Sequence, residues 1–312
     1  MKKSILIVIP VFNEKENIKE LNSRLQNVLE DKSCEAKIIY VDDGSTDESL
    51  EYIKEIYQNN KNTSYISFVR NFGQHAAVLA GLKFSKADYV LTLDSDLQNP
   101  PEEIYKLIEK TDQDYDIISS KRINRKDNFL RKFCSKIMNV IISKLVNKHQ
   151  NDYGCMMRMY KKNIVELILK YQEKSIYIPA FATWVSKKII EVPVEHNSRK
   201  MGKNKYSFIK LTRQSLDLIT AYTVFPFQLI FIIGILLFAV NSIVFFLSLI
   251  SNDLTNSINS IISFQIFIIG FIFIILGVLS EYLIRIYKET RKFPNYIIQE
   301  ISDNLKDVHS KD

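Results

Sequence analysis

The sequence predicts a doubly wound α/β fold, and three observations carry that prediction. Over residues 4–120, apolar runs of strand length alternate with amphipathic runs of helix length. Four of the five predicted strands end in a polar cluster, at the carboxyl edge where such sheets bind ligands. A chain of 312 residues with 46% hydrophobic content can also bury one large core and still have residues to spare.

The predicted strands are 4–10, 36–41, 65–69, 89–93 and 117–120, with helices near 16–30, 47–59, 74–84 and 102–110. The polar clusters are Pro10 to Glu14, Asp42 to Asp47, Asn71 to His75, and Asp94 to Gln98. Asp42-Asp43-Gly44-Ser45-Thr46-Asp47 has two readings. It places a carboxylate against the ribose or base of a nucleotide, or it is an Asp/Ser/Thr helix cap with a glycine turn. The stretch LTLDSDLQNPP, residues 91–101, is the most informative. Asp94 and Asp96 at alternate positions, with Gln98 close by, offer hard oxygen donors for Mg²⁺ or Mn²⁺, with a diphosphate completing the shell. Taken alone, the same residues also cap the helix that starts near Glu102. Neither GxxxxGK[ST] nor GxGxxG occurs, so a P-loop or dinucleotide fingerprint does not explain the sheet.

Lys and Arg total 42 against 35 Asp and Glu, a net charge of +7 that suits anionic phosphates, an anionic membrane surface or nucleic acid. Cys34, Cys134 and Cys155 are far apart and there are four histidines, so neither a zinc site nor a disulfide framework is expected. The apolar stretch in residues 4–10 is too short for a signal peptide, and the N-terminus is expected to stay in the cytoplasm.

Beyond the last strand, apolar residues recur at helical spacing over about 128–146 with Arg131, Lys132, Lys136 and Lys144 among them. This is either an interface helix on a membrane or an ordinary half-buried helix. Residues 218–252 carry no charge, and 225–250 would make about 39 Å of helix, enough to cross a bilayer. A second span is expected at 259–281. Basic residues flank the pair on one side and are missing from the connector, which puts the first 222 residues and the 282–312 tail in the cytoplasm. Residues 207–222 form a second candidate interface helix.

The segments VIPVFNEKENI, VDDGSTD, VRNFGQHAAVLAGL and DSDLQNPPEEI together resemble the GT-A family 2 glycosyltransferases, in the branch that moves a sugar from a nucleotide to a polyprenyl phosphate. NDYGCMMRMY, IYIPAFA and RKMGKNKYSF extend the resemblance over nearly the whole chain, toward the bacterial undecaprenyl-phosphate 4-deoxy-4-formamido-L-arabinose transferases. Dolichyl-phosphate mannose synthases and the undecaprenyl-phosphate glucose and GalNAc synthases are also similar. The resemblance implies a GT-A domain, two transmembrane helices and residence in the bacterial inner membrane, as a homo-oligomer, a tetramer in such relatives. Pro10, Phe12, Glu14, Asp43 and Lys205 are then nucleotide-binding, and Asp94, Asp96 and Gln98 surround the metal. Arg122, Arg131, Ser135 and Arg199 match acceptor-phosphate positions, and Asp152 matches a catalytic aspartate that acts as base or orients the acceptor. Asn204 stands where the family usually has serine, which removes a hydroxyl contact.

The implied reaction joins a UDP-sugar to undecaprenyl phosphate with inversion, for lipid A or another envelope glycan, and needs no nucleic acid. A lipid phosphate is already anionic near neutral pH, so the larger tasks are holding two anions together and stabilising the leaving diphosphate. Formamido-arabinose is the sugar the resemblance favours, with UDP-glucose and UDP-N-acetylhexosamines as alternatives. A processive polysaccharide synthase would carry Gln-x-x-Arg-Trp, whereas the only tryptophan is Trp184, preceded by Thr183. A non-catalytic nucleotide or lipid sensor is disfavoured by the presence of Asp94, Asp96 and Gln98 together.

Overall fold

A computed structural model describes residues 3–30, 35–123, 146–171, 177–197, 254–290 and 294–309, with single positions in 135–143 and 232–247. The chain divides into two compact units, Met1–Ser207 with Pro294–Asp312, and Phe208–Phe293.

The first unit is built on an eight-stranded mixed sheet. Its strands are β1 (Ser4–Val11), β2 (Glu35–Asp42), β3 (Thr63–Phe68), β4 (Tyr89–Thr92), β5 (Ile117–Arg122), β6 (Arg158–Lys161), β7 (Ile189–Val194) and β8 (Ile298–Ile301), in the order β7-β5-β6-β4-β1-β2-β3-β8. All five predicted strands are present, within about two residues at each end. The helices are α1 (Lys15–Leu29), α2 (Ser49–Asn59), α3 (Gln74–Lys83), α4 (Ile104–Ile108), α5 (Lys162–Lys170), α6 (Ile178–Val185) and α8 (Asp303–His309). The second unit contributes α7 (Leu254–Thr290).

Alternation along β1 shows why both faces must be covered. Leu6 and Val8 enter one core with α3, α5 and α6, while Ile5, Ile7, Ile9 and Val11 enter the other with α1 and α2. Burial of each isoleucine contributes roughly 2–3 kcal/mol. On α1, Ile18, Leu21 and Leu25 form the apolar stripe that meets the second core. In α3 every residue from Ala76 to Leu82 is buried. It can lie that close because Gly81 has no side chain: a Cβ there would stand 2.3 Å from Val8 Cγ1.

The sheet departs from an all-parallel one at two strands, and both departures matter for the site. β1, β2, β3 and β4 run parallel, as do β5 and β7. β6 runs antiparallel between β4 and β5, and β8 antiparallel beside β3. Parallel strands bring their carboxyl ends to one edge. An antiparallel strand brings to that edge the loop that precedes it, so the loop before β6 and the start of β8 join the ends of β1 to β5. Chain order reverses between β1 and β4, the position where open α/β sheets hold their ligands.

In the second unit, α7 has 37 residues, about 55 Å at helical rise. Among the described residues its window Phe267–Ile284 is the one stretch long and apolar enough to cross a membrane, and none of that window is buried. The expected span at 259–281 falls within α7. The expected span at 225–250 and the interface helices near 128–146 and 207–222 lie wholly or mostly outside the described residues.

Candidate active site

The loops after β1 and β2 are laced together. Asn13 takes a left-handed conformation, φ 52°, and its Oδ1 accepts the Thr46 amide at 2.7 Å while its own amide donates to Ser45 Oγ at 3.0 Å. The Glu14 amide donates to Ser49 Oγ, and its buried carboxylate accepts Asn17 Nδ2 at 2.7 Å. Pro10 sits inside β1 opposite Val41. Asp43 is only 3% exposed, and its carboxylate accepts the Phe72 amide at 2.7 Å, the Gly73 amide at 2.9 Å and Asn71 Nδ2 at 2.9 Å. It therefore fixes the turn that starts α3. Burial raises its pKa, opposed by those two backbone amides. Gly44, φ 68°, lets the backbone of Arg70 pass so closely that a Cβ would stand 2.3 Å from Arg70 C. Around this crossing lies a cavity of about 430 Å³ lined by Phe12, Thr46, Leu50, Arg70, Asn71 and Gln299, among others.

The acidic turn follows β4. Asp94 accepts Gln74 Nε2 at 2.5 Å, and Asp96 accepts the Gln98 amide at 3.1 Å. Between Asp96 and Gln98, Leu97 is left-handed, φ 58°, a conformation costing about 1 kcal/mol that its buried side chain offsets. Burial pushes the Asp94 carboxyl up to about 7, with further upward pressure from Asp96 and Glu14 and relief from Arg122 and Gln74. Gln74 thus ties the third polar cluster to the acidic turn, and Glu14 and Arg122 lie near enough to act on its charge. Among the described residues no group of three His, Cys, Asp or Glu side chains is spaced to hold a metal ion. Two repelling carboxylates nonetheless suit a small divalent cation, which takes one or two protein carboxylates and fills its shell with phosphate and water. Gln98 also joins the segment after β7 to the site, since its carbonyl accepts the Asn197 amide at 2.9 Å.

Arg122, at the end of β5, meets Asp152 from the loop before β6. Nε donates to Oδ2 at 2.7 Å and Nη2 to Oδ1 at 2.8 Å, and the side chains are 10% and 4% exposed. Gly154 makes room for this pair, because a Cβ there would stand 3.2 Å from Arg122 Nη2. The loop is held from beneath by Arg158, fully buried, which donates to the carbonyls of Cys155 and Asp152 and to Gln150 Oε1. From the side, Glu191 on β7 accepts the Asn151 amide at 2.7 Å and Asn151 Nδ2 at 2.5 Å. Asp152 is thus fixed in place with both oxygens turned to Arg122.

Ser135 occupies a described helical position, while Arg131, Arg199 and Lys205 lie outside the described residues. Sequence reasoning gives no individual role to Asn13, Gln74 or Glu191, which the structure shows to position the site. Gln74 and His75 fall in the polar cluster after β3, but nothing in the spacing says which side chain turns to Asp94. The His75 ring lies edge-on to Tyr177 at 5.2 Å, its Nδ1 has no hydrogen-bond partner among the described residues, and burial lowers its pKa to about 4.

The family model for glycosyl transferase family 2 matches residues 6–169. The chain is 37% identical over 311 residues to an undecaprenyl-phosphate 4-deoxy-4-formamido-L-arabinose transferase of Photorhabdus laumondii, covering 97% of this chain and 96% of that relative. Two solved structures share the fold. Mannosyl-3-phosphoglycerate synthase from Rubrobacter xylanophilus has a TM-score of 0.51 at 12% identity, over 70% of this chain and 72% of its own. Glucosyl-3-phosphoglycerate synthase from Mycobacterium tuberculosis, in complex with Mn²⁺, UDP-glucose and phosphoglyceric acid, has a TM-score of 0.50 at 16% identity, over 69% and 76%.

Proposed function

The chain belongs to glycosyl transferase family 2, and from that premise we propose that it moves a sugar from a UDP-sugar to undecaprenyl phosphate, with inversion, at the cytoplasmic face of a bacterial inner membrane. One observation carries this reading beyond the family: a paired carboxylate turn and a buried Arg122–Asp152 pair share one sheet edge, close enough for Arg122 to act on Asp94. That edge offers a place for a leaving diphosphate beside a place for an anionic acceptor.

The acceptor phosphate oxygen attacks the anomeric carbon, the bond to the diphosphate breaks, and UDP departs with the electron pair. No strong base is needed for an oxygen that is already anionic. Arg122 holds the acceptor phosphate, and Asp152 holds Arg122 in the required direction. Asp94 and Asp96, with Gln98, would hold Mg²⁺ or Mn²⁺, which when bound neutralises charge building on the departing diphosphate. Phe12, Glu14 and the Asp43-braced turn shape the nucleoside end, and Pro10 sets the end of β1 beneath it. Lys205 is assigned to the diphosphate, and Arg131, Ser135 and Arg199 to the acceptor.

Topology supports the membrane setting. Within the first unit, β7 ends at Val194 on the carboxyl edge of the sheet and Asn197 just beyond it meets Gln98 there, while 297–298 enter β8 beside Phe68 and Val69 on that same edge. Since β8 belongs to the same sheet as β3, any crossings made by 208–293 must be even in number. Residues 225–250 supply the partner for the span in α7.

The transferred sugar is 4-deoxy-4-formamido-L-arabinose, the one named for the Photorhabdus relative, and the product serves lipid A or a related envelope glycan. A processive synthase is disfavoured by Trp184, which is 62% exposed at the end of α6 and leads into the start of β7, the end of the sheet opposite the site. Membranes containing the protein, given undecaprenyl phosphate, Mg²⁺ and a panel of UDP-sugars, should yield one lipid whose mass gains the formamido-pentose. A product from UDP-glucose or UDP-GalNAc alone would replace the sugar, and no lipid product from any donor would overturn the reading.

A further inference from the structure

The geometry points to Gln299, on the strand that follows the membrane segment, as a binding residue for the nucleoside of the donor. This rests on the UDP-sugar reading above and adds to it a wall of the pocket that the N-terminal motifs do not supply. β8 pairs with β3 as Ile66 with Ile301, Ser67 with Glu300, and Phe68 with Ile298, so Gln299 is the extra residue of a β-bulge. Bulges re-aim a side chain and gather beside active sites. Here the reason is legible. In a regular strand Ile298 and Ile301 would point to opposite faces, yet both pack against the core shared with α3. The bulge turns both inward and leaves Gln299 at the rim, where it lines the cavity with Phe12, Thr46, Arg70 and Asn71.

The strand that carries it is firmly seated. Glu300 accepts Lys54 Nζ and Tyr65 Oη, each at 2.6 Å. The Tyr65 amide donates to Ser302 Oγ at 3.0 Å, and Tyr296 stacks on Phe68 with centroids 5.0 Å apart. The cavity, about 430 Å³, opens between the Gly44 loop and the turn that Asp43 braces. It takes a pyrimidine base or its ribose, and a primary amide at its rim both donates and accepts hydrogen bonds there.

Full-length protein in detergent with Mg²⁺ is titrated with UDP by calorimetry, as wild type, Gln299→Ala and Gln299→Met. The methionine keeps the length of the side chain and the strand packing but removes the amide. Both substitutions should raise the Kd for UDP and the KM for the donor about three- to tenfold, the loss of one net hydrogen bond. The kcat, the KM for undecaprenyl phosphate and the melting temperature stay at wild-type values. If wild type binds UDP and the two variants bind it equally well, the role of Gln299 is refuted while the transferase reading stands. If wild type does not bind UDP, the nucleotide reading itself fails.

Discussion

Replacing Asp152 with asparagine separates a base from a positioning group. In the structure its two oxygens accept from Arg122 at 2.7 and 2.8 Å, and the pair is nearly closed to water. Asparagine keeps one acceptor and loses the charge, a deficit of about 1.5–3 kcal/mol for a charge-assisted hydrogen bond, or roughly 10- to 150-fold in kcat/KM for the lipid acceptor. Because Asp152 acts through Arg122, the double variant Arg122→Ala/Asp152→Asn should be no slower than Arg122→Ala alone, with a coupling energy that nearly equals the single-variant loss. Removing the guanidinium alone leaves a buried carboxylate unpaired, about 3–5 kcal/mol against stability, so melting transitions are recorded beside initial rates of sugar transfer. Asp96→Ala, which removes a donor to the cation, should be more damaging than Asp152→Asn. Multiplying effects in the double variant, or an Asp152→Asn loss greater than that of Asp96→Ala at saturating metal, would refute the positioning role and make Asp152 the base.

Chelation with EDTA should abolish transfer, and Mg²⁺ or Mn²⁺ should restore it in wild type but not in Asp96→Ala; full activity in EDTA would exclude the cation role of the acidic turn. His75 binds a proton at about 4 when folded and at 6.5 when unfolded, so stability falls as pH drops from 6.5 toward 4, by about 2 kcal/mol near pH 5. His75→Gln should flatten that part of the melting-temperature profile. Gly44→Ala forces a side chain against the Arg70 backbone in a left-handed conformation and should cost on the order of 3 kcal/mol, visible as a lower melting temperature and weaker UDP binding. Tags at the two ends of the chain should both be cleaved by protease in inverted membrane vesicles and both be protected in spheroplasts; one tag cleaved while the other is protected would break the even count of crossings.

Strands β1 to β5 were legible because each is an apolar run, the first four closed by a polar cluster, and the switch between β1 and β4 then brings those clusters together. The antiparallel strands were not. Arg158 to Lys161 is four residues long and carries a buried arginine whose partners, the Cys155 and Asp152 carbonyls and Gln150, are visible only once the loop is folded. Ile298 to Ile301 is equally short and pairs with a strand some 230 residues earlier, a register no local pattern encodes. Within the site, sequence found the carboxylates because their spacing is unusual, and missed the groups that orient them. Gln74 and Glu191 are ordinary residues on α3 and β7 whose importance comes from facing Asp94 and Asn151 across the edge. Asp43 shows the same division. Its motif is legible in the sequence, and the fold adds the partners that brace it, the Phe72 and Gly73 amides and Asn71.

The proposal that a lipid phosphate is the acceptor is tested most directly by phosphorus NMR of the reaction in detergent. With purified protein, Mg²⁺, the UDP-sugar that gives product and undecaprenyl phosphate, the monoester resonance of the lipid should be replaced by a phosphodiester resonance as UDP accumulates in equal amount, and Asp96→Ala should leave the monoester untouched. Release of UDP with the lipid monoester unchanged would show that the sugar goes elsewhere and would contradict the account.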